Sequence, residues 1–163
     1  MKTIMEQVAS LISAMLAPGI MISACGLLIL GMNNKYSLVV GRIRTLNEEK
    51  RKFARSADTK EFEYFDQVRI SSISKQLAFL YERVRFIRNA VLCYSLAVGS
   101  FVITSIWIGL GLVVRGAEMI NSGIASIIFF VIGMILVLIG ITFAARESIK
   151  GFDIIELELK ADE

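Results

Sequence analysis

The chain has 163 residues, 55% of them hydrophobic and 20% charged, and its formal net charge is +3 at pH 7. Soluble domains contain about 45–50% apolar residues, so this composition indicates a membrane protein and argues against a water-soluble one. Because the sequence contains no histidine, catalytic sites built from Ser-His-Asp or Cys-His are excluded.

Three long stretches of the sequence, 8–32, 89–114 and 119–145, contain no charged residue. Each has about 25 residues and would extend about 37 Å as a helix, whereas the hydrocarbon of a bilayer is about 30 Å thick. Backbone amides in lipid must be satisfied within their own segment. We therefore predict an all-α integral membrane protein with three transmembrane helices. The first stretch is too long for a signal peptide, and we expect it to be retained as an anchor.

The first predicted segment, 1–32, has Pro18 near its middle, where the loss of a backbone hydrogen bond predicts a kink. Small or weakly polar residues recur around it every three or four positions, at Thr3, Gln7, Ser10, Ala14, Ala17, Met21 and Ala24. One interpretation is that this stripe packs against the other spans or against a neighbouring subunit. A second is that several copies form a pore lined by Gln7, Ser10, Ala14, Ala17, Pro18 and Met21, with Pro18 as a hinge. A third is a helix that lies at the membrane surface and enters the bilayer only at Pro18.

The connection 33–88 has apolar residues at alternating intervals of four and three, which is the spacing of a coiled-coil seam. The first arm contains Met32, Tyr36, Val39, Ile43 and Leu46, and the second contains Ile70, Ile73, Leu77, Leu80, Val84, Ile87 and Val91. We predict an antiparallel coiled-coil hairpin between spans one and two, formed by continuous helices near 4–54 and 59–114. Its tip contains Phe62, Tyr64 and Phe65, which are candidates for docking a cytoplasmic partner.

The same connection, 33–88, holds 13 of the 18 Lys and Arg residues. Basic residues stay on the cytoplasmic side of a membrane, so we expect the hairpin and the tail 146–163 inside the cell and the N-terminus outside. Six residues near the membrane end of the arms form a predicted basic collar: Lys35, Arg42, Arg44, Arg83, Arg85 and Arg88. The collar is interpreted either as a topology signal that contacts lipid phosphates, or as a ring at the inner mouth of an oligomeric pore that favours anions.

Small residues repeat every seven positions in the segment 89–145, which contains spans two and three. They are Ala97, Thr104 and Gly111 in span two and Ser126, Gly133 and Gly140 in span three. Small residues let membrane helices approach closely, which fits spans two and three as antiparallel neighbours.

In the tail 146–163 a helical stripe competes with a strand-like alternation. We favour a helical continuation that lies against the membrane or the hairpin.

Four short elements stand out within Leu16–Glu49: Ala17–Pro18, Ile22–Leu28, Asn33–Lys35 and Arg42–Asn47. Together with the later segment Glu82–Ala90, they resemble a bacterial membrane-protein family catalogued as domain of unknown function family 2721. The resemblance implies a bacterial inner-membrane protein with three spans. It brings no catalytic or binding residue with it.

We expect a non-enzymatic protein without cofactor or metal, because the sequence has no histidine, no P-loop and no complete dinucleotide fingerprint. No charged residue lies deep in a span, where proton-coupled carriers and pumps usually need one. Our first hypothesis is a homo-oligomeric inner-membrane pore or channel for ions or small solutes, lined by the N-terminal helix. The alternative is a membrane scaffold that recruits a cytoplasmic partner through the coiled-coil hairpin. Membrane lipid is an expected partner in both cases, and nucleic acid is not.

Overall fold

Three long α-helices form the part of the chain that the structure describes. A computed structural model describes residues 2–56, 64–113 and 118–161, and the side chains of 9–10, 12–55, 69–110 and 123–151. The helices are α1 (Lys2–Ser56), α2 (Tyr64–Val113) and α3 (Glu118–Ala161). By length and composition, all three are able to cross a membrane. The prediction of an all-α chain with three long apolar helices is confirmed, and α1 and α2 end within five residues of their predicted limits.

The chain divides into two units, which we name after their composition. The apolar unit comprises Met1–Gly31 and Ala90–Thr142, and the charged unit comprises Met32–Asn89 and Phe143–Glu163. Each boundary between the two units falls within three residues of an end of a charge-free stretch. Each helix therefore contributes one part to each unit.

In the apolar unit, α2 and α3 pack through aromatic rings that lie on glycines. A Cβ atom built on Gly140 would be 2.5 Å from Tyr94 Cε1, and one built on Gly133 would be 2.7 Å from Phe101 Cε1. Both rings are fully buried. Phe130 of α3 adds a tilted contact to Phe101, with 5.5 Å between ring centroids. The two ring-on-glycine contacts are seven residues apart on each helix, so the antiparallel helices keep one register over about two turns.

The predicted stripes of small residues lie buried in this unit. Ala97, Thr104 and Ser126 are buried, as are Gly133 and Gly140, whereas Gly111 lies outside the described side chains. The sequence predicts that small residues let these two helices approach closely, and it does not predict what lies against them. In the structure the two glycines lie against aromatic rings, because a missing Cβ leaves the room that a ring needs.

In the apolar unit, α1 is packed along one narrow face. Cys25 is fully buried in a cluster with Ala97, Phe101 and Val137. Pro18 is also fully buried, and α1 remains helical through it. The large apolar side chains on the other faces are exposed, namely Ile12, Leu16, Ile20, Leu27 and Leu30. Most of the described surface of α1 in this unit is therefore apolar and uncovered by the described parts of the other helices.

In the charged unit, α1 and α2 pack through residues of the predicted seam. Met32, Val39, Ile43 and Leu46 of α1 are buried, and so are Ile73, Leu77, Leu80 and Ile87 of α2. Two polar contacts join the same helices further along. Lys50 Nζ donates to Ser74 Oγ at 3.2 Å, and Arg69 Nη2 donates to Glu49 Oε1 at 2.7 Å. The two helices therefore run antiparallel and side by side here.

Tyr36 departs from the predicted seam. Its side chain is 43% exposed, although the heptad spacing places it opposite Ile87. Its neighbour Lys35 makes the contact between helices instead, because the lysine ammonium group reaches Glu147 of α3. Here α3 therefore joins a contact that the sequence predicts between α1 and α2 alone. The helical continuation of span three is confirmed, since α3 extends to Ala161.

We predict that Gly140→Ala destabilises the protein by about 1–3 kcal/mol, because the new methyl group overlaps the buried ring of Tyr94. The matched control is Gly99→Ala in α2, where a Cβ meets no atom within 4 Å. This control should be neutral or slightly stabilising, because alanine favours a helix over glycine. Denaturant titration in detergent micelles, followed by the fluorescence of the single tryptophan, Trp107, measures both. Equal stabilities of the two variants would contradict the ring-on-glycine contact.

Candidate functional site

The charged unit contains one fully buried carboxylate, Glu147 of α3, whose exposed fraction is 0%. Lys35 Nζ of α1 donates to Glu147 Oε2 at 2.7 Å. On the other oxygen, Arg83 of α2 donates to Glu147 Oε1 through Nη2 at 2.7 Å and through Nε at 3.2 Å. One carboxylate therefore holds a cation from each of the other two helices. We call Glu147, Lys35 and Arg83 the ion-pair clamp.

Two neighbours on α3 shape the surroundings of the clamp. Ser148 Oγ accepts a second hydrogen bond from Lys35 Nζ at 2.7 Å. Gly151 lies under the guanidinium of Arg83, and a Cβ atom there would be 3.2 Å from Arg83 Nη2. The absence of a side chain at Gly151 lets the arginine lie across α3 and reach the carboxylate one turn away.

A second ion pair lies beside the clamp and joins α2 to α3. Lys150 Nζ of α3 donates to Glu82 Oε2 of α2, and both side chains are largely exposed. The ammonium group also lies 5.1 Å from the ring centroid of Phe86, a distance at which a cation is attracted by the ring face. Phe86 in turn contacts Phe143, with 6.4 Å between ring centroids. A patch of two rings and one exposed ion pair thus flanks the buried clamp.

The electrostatics of the clamp depend on the burial of Glu147. A carboxylate removed from water loses several kcal/mol of hydration, and only close cations with good hydrogen-bond geometry offset that loss. Glu147 receives three hydrogen bonds from charged donors, which are about twice as strong as neutral ones. An isolated pair of unlike charges would leave part of this loss uncompensated. The arrangement is therefore suited to holding three helices together at one point.

No group of three or more His, Cys, Asp or Glu residues within the described ranges is placed to hold a metal ion. The buried side-chain polar atoms that the structure describes all have a hydrogen-bond partner. The carboxylate of the clamp is thus satisfied inside the protein, whereas the side chains of Lys35 and Arg83 are 42% and 23% exposed.

The structure separates the residues of the predicted basic collar into two groups. Lys35 and Arg83 are bound to Glu147. The other four are exposed, and none of them forms an ion pair with a residue that the structure describes: Arg42, Arg44, Arg85 and Arg88. The collar is therefore a mixture of inward-bound and outward-facing cations.

The stripe predicted to line a pore lies mostly on the surface of α1. Ser10, Ala14 and Ala17 are exposed, Met21 is half-buried and Pro18 is fully buried. The side chain of Gln7 lies outside those that the structure describes. Roughly opposite around the helix, a shallow apolar groove of about 460 Å³ is lined by Ile12, Met15, Leu16, Gly19, Ile20 and Ser23.

The aromatic residues of the predicted tip, Phe62, Tyr64 and Phe65, have side chains outside the described ranges. The recruitment of a cytoplasmic partner through them stays a prediction from the sequence.

Sequence reasoning missed Glu147, and one signal pointed to it. The stripe of small residues on α3, Ser126, Gly133 and Gly140, repeats every seven positions, and Glu147 is the next member of that series. A residue at this spacing continues the same helix face. The packed face of α3 therefore extends past residue 145, where the charge-free stretch ends. Glu147 is the first charged residue on this face and needs cations from α1 and α2.

A comparison with protein families finds that residues 15–157 match a family model described as "Protein of unknown function (DUF2721)". No match was found among curated proteins or among solved structures. The matched range contains the five sequence elements that suggest the resemblance, as well as all three residues of the clamp. The family description assigns no role to any of them.

We predict that Glu147→Gln lowers the free energy of unfolding by about 2–4 kcal/mol, because it leaves Lys35 and Arg83 without their buried anion. The matched control is Glu82→Gln, which removes the exposed partner of Lys150 and should change stability little, because water screens that pair. Denaturant titration in detergent micelles compares the two variants. If both lose the same stability, the clamp has no special structural role.

Proposed function

The chain belongs to the family of proteins of unknown function DUF2721, and from this premise we propose that it is a non-enzymatic, homo-oligomeric membrane protein. In this proposal the N-terminal parts of α1 from several copies line a pathway for ions or small solutes. The host membrane is a bacterial inner membrane. The N-terminus lies outside, and the antiparallel hairpin of α1 and α2 and the C-terminal tail lie in the cytoplasm.

The surface of the apolar unit supports its placement in lipid. Large apolar side chains are exposed on every helix, for example Leu27 of α1, Leu96 of α2 and Ile127 of α3. A surface of this kind is unfavourable in water, and lipid chains would cover it at no such cost. The distribution of Lys and Arg supports the orientation, since 13 of 18 lie in 33–88.

The observation on which the pathway rests is the exposed stripe of α1. Ser10, Ala14 and Ala17 are exposed between the buried face of the helix and its large apolar residues. Leucine and isoleucine are the residues best suited to face lipid, whereas small and hydroxyl-bearing side chains suit contact with other helices or with water. Three spans enclose too little volume for a route inside one chain, so the pathway requires several copies around a common axis.

The side chains that line the pathway would determine which ions or solutes pass through it. Alanine methyl groups and a serine hydroxyl offer weak hydrogen bonding and no charge, so selection inside the pathway would depend on size more than on the sign of an ion. The clamp supports this role indirectly, because it ties α1 to α2 and α3 in the charged unit. A pathway lined by α1 needs that helix to be held in one position.

We predict that cysteines on the stripe react with a charged, membrane-impermeant thiol reagent, whereas cysteines on the groove side do not. The test uses Ala14→Cys and Ala17→Cys in a background carrying Cys25→Ala and Cys93→Ala, reconstituted in liposomes. Thiols must ionise in water to react, so only a water-facing position should be labelled. Solute or ion flux should fall on labelling, because the attached group narrows the pathway.

The matched controls are Ile12→Cys and Leu16→Cys, which line the apolar groove roughly opposite the stripe. They should be neither labelled nor inhibited. The proposal fails if stripe and groove positions react alike, if no flux is detected in liposomes, or if the chain is monomeric in a lipid bilayer.

A further inference from the structure

Three exposed arginines of the charged unit lie within a few residues of the charge-free stretches. Arg88 immediately precedes 89–114, Arg146 immediately follows 119–145, and Arg85 lies one turn before Arg88. All three side chains are exposed, and none forms an ion pair with another described residue.

The lysines near the same ends are already bound within the protein. Lys35 follows the first charge-free stretch by three residues and donates to Glu147 and Ser148. Lys150 follows the third by five residues and donates to Glu82. Next to the charge-free stretches, the outward-facing cations among the described residues are therefore all arginines.

Arg88 and Arg146 lie at one level of the antiparallel pair α2 and α3. Arg83 of α2 lies against Gly151 of α3. Arg88 is five residues after Arg83 on α2, and Arg146 is five residues before Gly151 on α3. Because the two helices are antiparallel, Arg88 and Arg146 therefore lie at the same height along the pair, and Arg85 lies about one turn away from Arg88. Arg85 also acts electrostatically on Glu82 of its own helix, whereas the structure gives Arg88 and Arg146 no described anion as a partner.

The height of these arginines matches a lipid headgroup layer. At about 1.5 Å per residue, Arg85 lies about 6 Å beyond the charge-free stretch, within the roughly 5–8 Å thickness of one headgroup layer. By the same measure, Arg42 and Arg44 lie about 15 and 18 Å beyond Met32, outside that layer. The collar predicted from the sequence therefore contains residues at two different heights.

We propose that Arg85, Arg88 and Arg146 bind the phosphate groups of anionic lipids in the leaflet next to the charged unit. The planar guanidinium donates two parallel hydrogen bonds to a phosphate, whereas an ammonium group acts as a point charge. The proposal rests on the membrane placement given under the proposed function, but not on a pathway or on an oligomer.

The test measures the lipids retained by the purified full-length chain in native mass spectrometry, after exchange into mixed micelles of phosphatidylglycerol and phosphatidylcholine. The variant carries Arg85→Gln, Arg88→Gln and Arg146→Gln. Its preference for phosphatidylglycerol should fall by about fivefold for each arginine removed, the equivalent of about 1 kcal/mol per charge near an anionic surface. The triple lysine variant at the same positions keeps the charge and should recover only part of the preference.

The matched control is the pair Arg42→Gln and Arg44→Gln, which removes exposed arginines above the headgroup layer and should leave the preference unchanged. The inference is overturned if this control loses as much preference per residue as the triple variant, or if the triple variant matches the wild type. Displacement of bound phosphatidylglycerol by inorganic phosphate would also overturn it, since the site would then take the free anion. Flux through liposomes is measured separately, so a failure of the pathway does not change this result.

Discussion

One buried carboxylate, Glu147, ties the three helices of the charged unit together at one point. A buried anion is tolerated only when cations and donors surround it, and here these come from Lys35 of α1 and Arg83 of α2. The seam of α1 and α2 repeats similar apolar side chains at heptad spacing, so a slide by one repeat would still bring apolar residues together. The same slide would draw at least one cation away from Glu147, so the clamp disfavours it.

In the apolar unit, the described parts of the helices are held together without charged contacts. In the bilayer proposed for this unit, lipid tails are as apolar as the helices, so burial of hydrophobic surface would not drive the helices together and close packing would have to do so. Tyr94 on Gly140 and Phe101 on Gly133 provide that packing, because a large flat ring against a bare backbone makes many contacts in a small space. The two units thus use different physical means, ring-on-glycine packing in one and a buried ion pair in the other.

Much of this architecture is predictable from the sequence, and the exceptions have a common cause. The absence of charge predicts the three helices, and the heptad spacing predicts the buried positions Ile43, Leu46, Leu77 and Leu80. The exposure of Tyr36 and the burial of Glu147 are not predicted, since both follow from α3 joining α1 and α2. A periodic pattern reports which face of one helix is apolar, but it does not report how many helices meet that face. The helical pattern of α3 alone accordingly does not single out Glu147 as buried, although its seven-residue spacing from Gly140 places it on the packed face.

The basic residues next to the charge-free stretches also show that a sequence pattern does not reveal which contacts its residues make. The positive-inside rule counts every Lys and Arg equally, because it describes the cost of moving a charge across the bilayer. Once the helices are packed, the charges are no longer equivalent. Lys35, Arg83 and Lys150 are paired with Glu147 and Glu82, and the two carboxylates offset two of these three positive charges. Beside the charge-free stretches, the described cations without an ion pair are all arginines, and the weak hydration and fixed fork of arginine favour contact with phosphate. Glu147 and Glu82 therefore decide which cations beside these stretches are left for partners outside the chain.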